Sequence, residues 1–222
     1  MQTRHERQTY PSKTIGGIHK ILLTVALAVD ALVVFFTIIY AAFYDTYVTY
    51  LATIDQALMT FSIVIYYIIL VAFFVWLVQT HRAFREKYAD YPITTMGGLV
   101  RMLPLVQLWG IANTFSTIGG YLYRRRENAN VARRVHKLIL PLYFFLFVGN
   151  VVNRILLRNP SEASDGMLLA GSIFDAGSIG VYLILTITIQ RGVERLYLAA
   201  EQSEDDAAAP PSASANGTSV SL

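Results

Sequence analysis

The chain has 222 residues, of which 55% are hydrophobic and 15% charged, with a mean hydropathy of +0.46 and a formal charge of +3. A soluble domain of this size cannot hide so much apolar surface, so the composition predicts an all-α integral membrane protein. Cysteine is absent, which excludes disulfides, thiolate metal sites, haem attachment through cysteine, S-acylation and a cysteine nucleophile.

Residues 1–20 form a polar, basic leader interrupted by Tyr10-Pro11 and Gly16-Gly17, and are expected to be poorly ordered. Four segments reach the roughly 20 apolar residues that a transmembrane helix needs: 21–43, 57–78, 138–157 and 167–189. The first is too long for a signal-peptide core and carries Asp30, so it reads as a retained span. It runs into Tyr40, Phe43, Tyr44, Tyr47 and Tyr50, residues suited to a headgroup belt. The second is apolar as far as Trp76 and is predicted to continue as helix through Gln79–Tyr88. It should stop before Tyr91-Pro92, because the residue preceding a proline avoids the α region.

The stretch Gly97–Tyr123 is also apolar, but basic clusters flank it on both sides, Arg82, Arg85 and Lys87 before it and Arg124-Arg125-Arg126 after it. Basic residues mark the cytoplasmic margin, so this stretch is predicted to enter and leave on the same face. With four spans and a cytoplasmic N-terminus, every Lys and Arg except Arg154 and Arg158 falls on the inner side. A fifth crossing would divide the basic residues evenly and erase the orientation signal.

Within 97–123 a polar residue, proline or glycine recurs at every third position, from Arg101 through Pro104, Gln107, Gly110, Asn113 and Ser116 to Gly119. That spacing drifts about 60° per step around an α-helix, so no single face stays lipid-compatible. Arg101, Pro104, Gln107, Trp109, Gly110 and Asn113 form a candidate re-entrant segment of two half-helices. The alternative is a helical hairpin lying flat in the interface.

Residues 124–137 are predicted as a basic cytoplasmic helix. Its Arg124, Arg125, Arg126, Arg133, Arg134 and Lys137 would contact anionic headgroups, at about 1 kcal/mol of attraction per basic residue. No nucleic-acid motif accompanies them. Residues 196–222 are expected to be a disordered cytoplasmic tail, most clearly from Glu201 onward, where Ala, Ser and Pro dominate.

The costly residues lie inside the spans. Asp30 sits roughly 13 Å from the inner end of the first, and Asp175 roughly 12 Å from the outer end of the fourth. Asn150 falls near the level of Asp175, and Arg154 one turn further out could reach Asp175 or snorkel. A charge at mid-membrane costs about 2.5–3.5 kcal/mol on the insertion scale, so Asp30, Asn150, Arg154 and Asp175 form a candidate interior cluster. It would serve either as a structural pairing or as a titrating site. Ser172, Ala176 and Gly180 make a small-xxx-small row for close helix packing.

Catalytic signals are poor. His5, His19, His81 and His136 lack metal-ligand spacing and are expected to face cytoplasmic solvent. Neither Ala28-Val29-Asp30-Ala31 nor Phe174-Asp175-Ala176-Gly177 carries an intramembrane aspartyl-protease signature, and GxSxG and phosphate-cradling loops are missing. No enzyme activity, metal or cofactor is expected.

Trp76-Leu77 with Arg82 and Arg85, followed by Pro104-Leu105-Val106-Gln107-Leu108-Trp109, resembles a family of uncharacterised bacterial membrane proteins with a domain of unknown function. That family has a Pro-Ile-x-Asn-Leu-Trp-x-Pro segment between its second and third helices. Gln107 stands where Asn is usual, and Ile111 where the second Pro would be. The resemblance covers about residues 20–195 and implies the four-helix layout, with Pro104, Gln107 and Trp109 in the characteristic segment; it implies no activity. The expected protein is a multi-pass plasma-membrane module with both termini cytoplasmic. It would act as a non-enzymatic scaffold or accessory through lipid, homo-oligomer or membrane-protein contacts. The alternative is a small oligomeric proton or cation transporter using Asp30 and Asp175.

Overall fold

The computed structural model describes residues 10–102, 107–158 and 164–208, with backbone alone at 107–108 and 200–208. The described residues form helices and turns: α1 (Lys13–Ala42), α2 (Tyr44–Thr46), a π-helical turn (Tyr47–Leu51), α3 (Ala52–Lys87), α4 (Thr95–Val100), α5 (Gln107–Tyr123), a 3-10 turn (Arg126–Asn128), α6 (Ala129–Arg158) and α7 (Asp165–Ala208). Four helical runs are long and apolar enough to cross a membrane: Lys13–Ala42, Tyr44–Lys87, Arg126–Arg158 and Asp165–Ala199. Each encloses most or all of one segment chosen from the sequence.

The differences lie at the ends. Helix α1 starts at Lys13, inside the expected leader, because a buried stripe continues below the apolar run: Gly16, His19, Leu23 and Ala26 recur at helical spacing. Helix α7 passes Glu201 and reaches Ala208, as the Ala, Glu and Gln residues there are strong helix formers. Helix α3 ends at Lys87, and Tyr88 turns extended, close to the stop expected ahead of Tyr91-Pro92.

Helix α1 is central, packed against α3 on one side and α7 on the other. Helix α7 packs in turn on α6, and α6 on α5, while α3 scarcely touches α7. A groove therefore opens over α1. At one end of the bundle the Tyr40 ring meets Tyr44 and Tyr47 edge-on, and the Tyr47 hydroxyl donates to buried Asp55 at 2.7 Å.

Helix α5 buries Ile111, Phe115, Ile118 and Leu122, a stripe at four-three-four spacing that packs on α6. It runs antiparallel to the first half of α6. The Ala112 N–H donates to the Tyr143 hydroxyl at 3.2 Å, and Gly119 lies against His136. Both margins of 97–123 meet at one end of the bundle. Arg124 donates to Asp90 at 2.7 Å, the Tyr121 hydroxyl donates to the Asp90 carbonyl at 2.7 Å, and Tyr91 packs edge-on against Tyr121 at 4.9 Å. Buried His81 closes the same cluster through Nδ1 and the Tyr91 hydroxyl, 2.8 Å apart, with Gly98 under its ring.

The hydrogen bond from Arg124 holds the exposed Asp90 carboxyl below its ordinary value. A depressed acid contributes stability above its unfolded value and loses it as the pH falls through the folded one. Asp90→Asn should therefore melt below wild type at pH 7, and the gap should close as the pH drops below the carboxylate range. Parallel melting curves against pH check this; a gap independent of pH would remove the ion pair as its cause.

Candidate functional site

The groove over α1 holds three connected cavities. The widest, about 660 Å³, lies between α1, α3, α6 and α7 and is lined in part by Asp30, Ser62, Asn153, Ser172 and Asp175. The second, about 390 Å³, shares Asp30, Ser62 and Asp175 with it and adds Tyr66 and Ser178. The third, about 150 Å³, shares Tyr66 and Ser178 with the second and ends on His19, Met102 and Tyr182. The cleft thus narrows from the loop end of α6 and α7 toward the end where α4 sits. Met102, two residues past α4, forms part of its floor.

Asp30, half-buried on α1, and Asp175, exposed on α7, therefore line a shared space. Their surroundings differ from the sequence expectation. Asn153 donates to Asp175 at 3.3 Å, whereas Asn150 donates to the Leu146 carbonyl at 2.8 Å and is exposed. Arg154 is also exposed and makes no ion pair with Asp175. Among the described residues, neither aspartate has a basic partner within 4.0 Å.

Two histidines expected in solvent are buried instead. His19 is 1% exposed, with both ring nitrogens unpartnered and its ring stacked on Trp76 at 5.5 Å and 23°. His81 is 0% exposed, and its Nε2 is also unpartnered. The signal for His19 was the stripe with Gly16, Leu23 and Ala26; counting apolar residues from Ile21 concealed it.

The small-residue row lies on the face of α7 turned to α1. Ser172 Oγ is 3.4 Å from Thr37 Oγ1, and a methyl group on Gly180 would stand 3.8 Å from Leu27; Ala176 lies half-buried between them. Of the re-entrant candidates, Arg101, Trp109, Gly110 and Asn113 converge. Arg101 donates to Asn113 Oδ1 at 2.6 Å, its guanidinium lies 5.6 Å over the Trp109 ring, and Gly110 abuts the Arg101 carbonyl. Pro104 and the Gln107 side chain fall outside the described residues.

Of the basic residues assigned to headgroups, Arg124 is engaged with Asp90. Arg133 donates to Asn130 at 2.6 Å, and Arg125, Arg126, Arg134 and Lys137 are exposed. No group of three metal-ligating side chains occurs among the described residues. No family model matches the chain, and no curated protein or solved structure is similar to it.

Proposed function

We propose that the protein is a multi-pass membrane protein that passes protons or small monovalent cations through the cleft over α1, with Asp30 and Asp175 as its binding groups. One observation carries this reading: two carboxylates from different helices line one tapering cleft, and no basic side chain among the described residues pairs with either. In an apolar layer an acid without a base must be protonated or hold a cation, since an isolated ion there is prohibitively costly. Ser62, Ser172 and Asn153 surround the pair with the oxygen donors that hard cations prefer.

In this reading the α4–α5 segment is a re-entrant hairpin, entering and leaving on the cytoplasmic side and closing the narrow end of the cleft. The Asp90–Arg124 clasp between its margins and the run of α5 alongside α6 support that arrangement over a hairpin lying flat. Four spans, both termini inside, a plasma-membrane location and a non-enzymatic role belong to the same proposal. The scaffold reading draws less support. Its small-residue row is taken up by α1 of the same chain.

Flux into liposomes loaded with a pH- or cation-sensitive dye tests the proposal. Asp30→Asn and Asp175→Asn should each slow flux by about tenfold or more, the kinetic equivalent of one lost charge-assisted contact of about 1.5–3 kcal/mol. Asp45→Asn, exposed and outside the cleft, should not. Equal flux in all four proteins, or none above protein-free vesicles, would remove the reading.

A further inference from the structure

At the end of the bundle that carries the α4–α5 hairpin, a separate pocket of about 180 Å³ opens between α6 and α7. Asn130, Val131, Arg134, Thr188, Arg191 and Arg195 line it. Its chemistry is one-sided. Three arginines from two helices line it, and no lining residue is acidic. None of the three arginines has a carboxylate within 4.0 Å among the described residues; Glu194 lies on α7 between Arg191 and Arg195 and is not part of the wall.

Of the polar neighbours, Asn130 keeps its donors free and Thr188 does not. Asn130 gives its Oδ1 to Arg133 at 2.6 Å, which leaves the amide N–H groups as its open end. The Thr188 hydroxyl donates to the Ile184 carbonyl at 2.6 Å, fixing its position in the wall. Arg195 spends one N–H on the Glu127 carbonyl at 3.2 Å, which ties its guanidinium to the chain ahead of α6. Among the described residues the remaining guanidinium donors have no hydrogen-bond partner.

A donor-rich, acceptor-poor pocket with several planar guanidinium forks suits an oxyanion, above all a phosphate group, which arginine grips bidentately. The pocket's depth fits the same ligand. Residues 130–134 precede the third apolar segment by one to two turns, and 188–195 close the fourth, so the site lies at headgroup level. Basic pockets between helices at that level are where anionic headgroups seat.

We infer that Arg134, Arg191 and Arg195, with the Asn130 amide, form a specific phosphate-binding site, filled by a lipid phosphodiester or by free phosphate. This is a discrete pocket, distinct from the general basic stripe, and it stands independently of the cation path.

The test is thermal melting of the full-length protein in maltoside detergent micelles free of phospholipid, with phosphatidylglycerol or inorganic phosphate added at constant ionic strength. Occupancy at about a hundredfold excess over Kd should raise the midpoint by roughly 5–10 °C. Arg191→Gln and Arg134→Gln should each lose most of that shift. Lys137→Gln, which removes the same charge from an exposed position outside the pocket, should keep it. A shift with phosphatidylglycerol alone assigns a lipid ligand, and a shift with inorganic phosphate alone assigns a free one. No shift with either, or equal loss in Lys137→Gln, overturns the site. The two arginines lie on different helices and both are exposed, so misfolding of one variant leaves the other to decide.

Discussion

Gly110→Ala should lower the melting midpoint of the purified protein, whereas Gly120→Ala, in the same helix, should raise it. Alanine is favoured over glycine inside a helix by about 1 kcal/mol, so propensity alone predicts a gain at both positions. At Gly120 nothing lies within 4 Å of an added methyl group, and that gain is free. At Gly110 the methyl would overlap the backbone carbonyl of Arg101, where the limb leaving α4 passes under the start of α5. Backbone cannot rotate away as a side chain can, so the two limbs must separate. Overpacking of this kind costs about 1–3 kcal/mol, or roughly 2–12 °C for a chain of this size. Separation also pulls Arg101 from Asn113 and shifts Met102, part of the cleft floor, so flux through Gly110→Ala should exceed that of wild type. Matching midpoints for the two variants would mean that the limbs do not cross at Gly110.

The helices were legible because each apolar run is long and capped by a change in composition. The α3 stop near Lys87 followed from one proline, and the two margins of 97–123, which their basic residues assign to one face, are in contact. The site was legible in depth but not in rotation. Depth follows from counting at 1.5 Å per residue, which brought Asp30 and Asp175 to a common level. Rotation about α6 does not follow. Asn150 and Arg154 are four residues apart and share a face, while Asn153 is turned from Asn150 by about 60°. That turn alone decides which amide meets Asp175. No apolar pattern in α6 fixed it, because residues of both faces are hydrophobic. His19 was lost for a related reason. Its burial depends on a neighbouring helix bringing Phe73 and Trp76 against it, a tertiary fact absent from any local window. The same holds for the oxyanion pocket, in which Arg134 lies more than fifty residues from Arg191 and Arg195 in sequence.

Thiol labelling of this cysteine-free chain should sort four exposed positions into two pairs. Ala89→Cys and Arg126→Cys flank the Asp90–Arg124 contact, 2.7 Å across, and must share a compartment whichever way the protein is inserted. Asp45→Cys and Ser164→Cys lie in the turns at the other end of the bundle and must share the opposite one. The basic residues then choose the direction, since positive charge is retained inside. In intact cells a membrane-impermeant maleimide should react with Asp45→Cys and Ser164→Cys and leave Ala89→Cys and Arg126→Cys unlabelled until the membrane is permeabilised. The two halves of this expectation fail separately. Reversed pairs would invert the orientation and keep the hairpin, because the contact between its margins is indifferent to direction. If Ala89→Cys and Arg126→Cys reacted from different sides, the segment would have to cross, the clasp between Asp90 and Arg124 could not exist, and the cleft would lose the hairpin that closes its narrow end.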